Sequence, residues 1–157
     1  MSADHPPVSG GIAFLLAQLG AHAGDLFATA LMEHDLTPPL AGLLRLVRSE
    51  PGLSQQDLAA RLGLAPSRLV AHVDDLEQRG WLERVRDAND RRVNALRLTD
   101  AGREAFGALA VIARRHERAV TAGLDESQRA TLSALLQHVA ETQGLTPGVH
   151  PGFRRLR

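Results

Sequence analysis

The chain has 157 residues, 44% of them hydrophobic, 23% charged and 3% aromatic, enough for one core or for a compact core plus a seam shared with a second chain. This excludes a large multidomain enzyme, and eighteen basic residues cancel eighteen acidic ones, so any charged partner must be recognised by a local patch. There is no cysteine, which removes disulfides, thiolate metal sites and cysteine nucleophiles, and every basic residue is arginine, a bias that fits a GC-rich genome as well as a functional demand.

After a Pro-rich lead-in, Ile12, Leu16, Leu19, Ala23, Leu26 and Ala30 recur in steps of four and three, which predicts a helix from Gly10 to about His34. Phe14, Phe27 and Leu31 widen its apolar stripe beyond what one neighbouring helix covers. Thr37-Pro38-Pro39 reads as a capped helix start, with Leu40, Leu43, Leu44 and Val47 on the buried side. Pro51-Gly52 breaks that helix, and Ser54 caps a short third one carrying Leu58 and Leu62 inward. Gly63 ends it, and Pro66 opens a fourth helix with Leu69, Val70, Val73 and Leu76 expected inside. Two short helices joined by a glycine turn are a helix-turn-helix candidate.

Gly80 closes the fourth helix, and Trp81–Arg86 and Val93–Leu98 alternate at period two around an arginine-bearing loop, which predicts a two-stranded hairpin. Thr99 then caps a long helix to about Thr121, with Phe106, Leu109, Ala113, His116 and Val120 along its seam. Asp125 starts a last helix with Leu132, Leu135, Leu136 and Val139 on one side, and from Gly144 the glycines and prolines predict an irregular, Arg-ending tail. The fold class is therefore mainly α with a small β-hairpin wing, an α+β winged helix-turn-helix. Residues 37–99 form that module, residues 10–36 and 100–143 a helical dimerisation region, and residues 1–9 and 144–157 flexible or partner-contacting tails. The outer helices carry more apolar surface than one small module can cover, which predicts a two-fold homodimer. No run of about 18 continuous apolar residues and no basic, apolar leader is present, so the expected location is the cytoplasm without membrane contact.

The block from Leu58 to Arg103 resembles the MarR family of bacterial transcription regulators. Leu76-Glu77-Gln78-Arg79-Gly80, Glu83-Arg84, Asp90-Arg91-Arg92 and Leu98-Thr99-Asp100-Ala101-Gly102 occur in the family's order. The resemblance covers roughly Ile12 to Gln143 and implies a DNA-binding repressor, released from a palindromic operator by a small aromatic or apolar effector. The residues suit that work. With the apolar side turned in, Ser67, Arg68, Ala71, His72, Asp75 and Arg79 form the outward stripe of the fourth helix. Arg68 is the expected base reader, since a guanidinium fork matches guanine O6 and N7, and His72 follows one turn later. Ser67, Ser54 and Gln55 are expected at phosphates, and Arg84 at a phosphate or in an internal pair with Asp90 of the wing. Arg91 and Arg92 would reach from the wing toward a minor groove, the resemblance placing the tip arginine at Arg92 and giving Asp90 the task of holding the wing in shape.

Two features depart from the family pattern: Ala65 stands where a capping Ser is common, and Asp74 and Asp75 add negative charge near a surface meant for DNA. From Pro51 to Thr99 eight arginines face seven acidic residues, a surplus of one, so affinity rests on where the arginines point. His22, His34, His116 and His138 form no compact ligand spacing, so no metal or other cofactor is expected, and no catalytic motif is present. The alternatives are a winged helix that contacts only proteins and a constitutive DNA binder without effector.

Overall fold

The computed structural model describes residues 10–86 and 94–149. The order is α1 (Ile12–Met32), α2 (Pro38–Ser49), α3 (Gln55–Leu62), α4 (Pro66–Gln78), β1 (Leu82–Arg86), β2 (Asn94–Leu98), α5 (Asp100–Val120) and α6 (Glu126–Thr142). Four of the helices, α2, α3, α5 and α6, begin at a side-chain cap. The hydroxyls of Thr37, Ser54 and Thr99 accept from Leu40, Asp57 and Gly102, and Asp125 with Gln128 forms a reciprocal capping box. α4 starts at Pro66 with no side-chain cap on Ala65; Pro66 has no amide hydrogen and the Arg68 and Leu69 amides donate to the Ala65 carbonyl, which leaves the Ser67 amide free among the described residues.

α2, α3, α4, the hairpin and the N-terminal half of α5 surround one core. Leu43, Leu44, Leu58, Leu69, Val73, Leu76, Leu82 and Leu96 are fully buried within it, and Trp81, Phe106 and Val149 pack partly against it. Val149 thus brings the chain after α6 back onto this core. β1 and β2 pair antiparallel with Leu82 opposite Leu98 and Arg84 opposite Leu96, and Ser54 adds an isolated bridge to Ala95. Val70 departs from expectation: it is 38% exposed. At 100° per residue Leu69, Val73 and Leu76 share one face of α4, and Val70 is rotated off it.

α5 meets the hairpin at an unusually close approach. A Cβ on Gly102 would lie 1.9 Å from the Trp81 carbonyl oxygen, while Thr99 Oγ1 donates to the Gly80 carbonyl. Only glycine permits this seating of the first turn of α5 on the start of β1. Further along α5, Leu109 and Ile112 are buried, Phe106, His116 and Val120 half-buried, and Ala113 lies outside the seam predicted for it.

α1 and α6 differ from all of this. α1 buries only Leu31, leaving Ile12, Phe14, Leu16 and Leu19 exposed, and α6 buries nothing, with Leu132, Leu135, Leu136 and Val139 exposed. α1 is long and apolar enough to cross a membrane by length and composition alone, although no continuous apolar run of that length occurs in it. It packs against α5, and together with α6 the two helices border an apolar groove of about 550 Å³.

Candidate nucleic-acid interface

α3 and α4 stand in helix-turn-helix order because Gly63, at φ 63°, supplies the left-handed residue that lets α3 stop and the chain turn into Pro66. The turn is closed by backbone bonds from Gly63 to Ala60 and from Leu64 to Ala59, and Leu64 is buried beneath it. This anchoring leaves the first turn of α4 projecting, with Ser67, Arg68 and Ala71 exposed above the fully buried Leu69 and Val73.

Several arginines in and beside the module are engaged with carboxylates of the chain. Arg61 pairs with Glu50 at 2.5 Å, Arg79 with Asp75 at 2.7 Å, and Arg103 with Asp100. Arg79 also donates to the Asp35 carbonyl at 2.9 Å and lies over the Trp81 ring, 5.3 Å from its centre. Arg68 has no hydrogen bond or ion pair from its side chain among the described residues, so its fork is available to an outside acceptor. His72 is half-buried on the flank of α4 rather than at its crest.

At the start of α3 the Ser54 hydroxyl accepts from the Asp57 amide at 3.0 Å and donates to the Asp57 carboxylate at 2.6 Å, so it caps its own helix. Gln55 Oε1 accepts from Arg84 Nε at 3.4 Å. Arg84 itself is engaged internally: one terminal nitrogen lies 2.5 Å from Asp74 and the other binds Glu77, both on α4. The internal pair expected for it was with Asp90, which lies outside the described residues; the partners found are Asp74 and Glu77. The signal was present in the hairpin alternation, because Arg84 shares the inward side of the hairpin with Leu82, Leu96 and Leu98. Asp90, Arg91 and Arg92 lie outside the described residues.

A second concavity, about 290 Å³, lies between α1 and α5 and is lined by Leu26, Ala30, His34, Ile112, Arg115 and His116 among others. His116 meets the Phe27 ring at 5.1 Å between centres. Among the described residues no group of three or more His, Asp or Glu side chains is gathered to hold a metal ion.

A helix-turn-helix whose second helix projects a first turn bearing the exposed Arg68, followed by an antiparallel hairpin, defines the winged-helix class of DNA-reading proteins. Comparisons narrow the class. The family model described as MarR family matches residues 34–93. A protein described as a transcriptional regulatory protein for the hcr operon of Thauera aromatica is 31% identical over 144 residues, covering 91% of this chain and 87% of that protein. The repressor CouR bound to a 23-mer DNA duplex superposes with a TM-score of 0.73 at 30% identity, over 89% of this chain and 99% of that one. CouR from Rhodococcus jostii RHA1 bound to p-coumaroyl-CoA gives 0.71 at 28% identity, over 87% of this chain and 96% of that one. The chain belongs to the MarR family and is a DNA-binding transcriptional regulator with the winged-helix fold.

Proposed function

We propose that the protein is a homodimeric repressor that binds a palindromic operator, each α4 entering one of two successive major grooves about 10 bp apart. The observation that carries this reading is the first turn of α4: it projects from a fully buried base and bears Arg68, whose side chain has no partner among the described residues, while Arg61, Arg79, Arg84 and Arg103 are bound to carboxylates of their own chain. Arg68 reads a guanine edge, and Ser67, through its hydroxyl and its free amide, contacts phosphate. Ser54 and Gln55 bring the start of α3 to the backbone, His72 contacts the flank of the site, and Arg91 and Arg92 extend the wing over the adjacent minor groove with Asp90 shaping the loop.

Residues 37–99 act as the reader, and residues 10–36 and 100–143 as the dimerisation frame, whose exposed apolar faces on α1 and α6 are covered by the second copy. This disposition of α1 fits a protein that works in the cytoplasm beside its DNA. The effector is a small aromatic or apolar molecule held in the α1–α5 cleft. Leu26, Ala30 and Ile112 there supply apolar walls, and Arg115, His34 and His116 supply donors for an acidic group. Ligand occupancy favours a dimer whose two α4 helices are wrongly spaced for the operator.

The test is selection of bound sequences from a random duplex pool, followed by titration of the recovered site and a shuffled duplex at two salt concentrations. Enrichment of one inverted repeat that outcompetes the shuffled duplex is expected, and no enrichment would sink the reading. A protein-only winged helix would be unaffected by Arg68→Ala, whereas a DNA reader loses its preference at one base position.

A further inference from the structure

We infer that Arg84 is a positioning residue of the DNA reader: it holds α4 against β1 and α3 and neutralises the two carboxylates that α4 carries beside its DNA-facing surface, without itself touching DNA. The inference rests on the DNA-reading function above and assigns one arginine of the module a different task within it. Three elements converge on this guanidinium. Its Nε donates to Gln55 Oε1 of α3 at 3.4 Å, one terminal nitrogen meets Asp74 of α4 at 2.5 Å, and the other meets Glu77 one turn further along α4. The register explains why it faces α4, because Arg84 lies opposite Leu96, whose side chain is buried beneath the hairpin.

A fork that binds two carboxylates one helical turn apart fixes both the distance and the rotation of α4 relative to the hairpin, which a single-point ammonium cannot do. It also answers an electrostatic difficulty. α4 carries Asp74, Asp75 and Glu77 close to the turn that must approach phosphates, and Arg79 occupies Asp75 while Arg84 occupies the other two. Arg84 is only a quarter exposed, whereas Asp74 and Glu77 are each about two-fifths exposed. Removing Arg84 therefore leaves two uncompensated negative charges within reach of the DNA and loosens the helix that reads it.

The experiment is a double-mutant cycle in operator affinity, using the selected duplex and four proteins: wild type, R84A, D74N/E77Q and R84A/D74N/E77Q. R84A is expected to weaken binding about tenfold or more and D74N/E77Q to change it less than about threefold, with the triple variant recovering most of the loss. R84K, which keeps the charge but not the fork, is expected to fall between wild type and R84A. Effects that simply multiply in the triple variant would overturn the inference, as would wild-type affinity in R84A. A salt slope lowered by about one in R84A, without rescue, would reassign Arg84 to a phosphate. Amide hydrogen exchange on the DNA-free proteins separates the inference from the function beneath it. If wild type selects no duplex the DNA-reading function fails, while faster exchange in α4 of R84A still supports the clamp and unchanged exchange overturns it.

Discussion

Leu43, Leu44, Leu58, Leu69 and Leu76 of the winged module are wholly buried, whereas Leu19, Leu132, Leu135 and Leu136 of α1 and α6 keep between 40% and 60% of their surface exposed. The residue type is the same, so the difference lies in what surrounds these side chains. The module closes its core from five elements of one chain. The outer helices meet too few neighbours of their own to close one, and a contiguous apolar surface of this kind marks a face that another surface covers. The chain therefore holds one complete core and one apolar surface left open, which on the proposed reading a second copy covers.

The contrast can be broken or sharpened by substitution, beginning where the effect is largest. Leu44→Ala is expected to destabilise the fold by about 2–5 kcal/mol, read as a lower urea midpoint with unchanged slope, because a wholly buried leucine leaves a cavity. Leu136→Glu on α6 is expected to leave helical content intact while converting a dimer to a monomer at micromolar concentration in sedimentation velocity. A wild-type protein already monomeric there would overturn the covering by a second copy. Arg68→Ala, which touches neither the core nor the open surface, is expected to cost about 1–3 kcal/mol of discrimination at one base position while leaving the melting temperature within error. Asp125→Ala is the smallest test: it removes the capping box of α6 and is expected to cost about 0.5–2 kcal/mol, confined to that helix in hydrogen exchange.

The element boundaries were legible because each is written in a few adjacent residues. Thr37, Ser54, Thr99 and Asp125 cap the helices they were expected to cap, and Gly63 and Gly80 take the left-handed conformations that end α3 and α4. Rotations about helix axes were less legible. Val70 was placed inside by its apolarity, but the phase of α4 is set by Leu69, Val73 and Leu76, which pack on residues distant in sequence. His72 shifts to the flank for the same reason. The pairing of Arg84 was left open between phosphate and protein, because hairpin alternation gives its side of the sheet but not that Asp74 and Glu77 wait there. The α1–α5 cleft could not be located either, since residues that line a cleft and residues that fill a core share the same periodicity.

The seating of Gly102 on the Trp81 carbonyl has a mechanical meaning. α5 spans about 30 Å at 1.5 Å per residue, with its near end fixed to the root of the wing and its far end beside α1 and α6. It is a lever with its fulcrum at the hairpin. A tilt of only about 4° at that fulcrum sweeps the far end through about 2 Å, so the attitude of the hairpin and the position of the far end of α5 beside α1 and α6 are geared to each other.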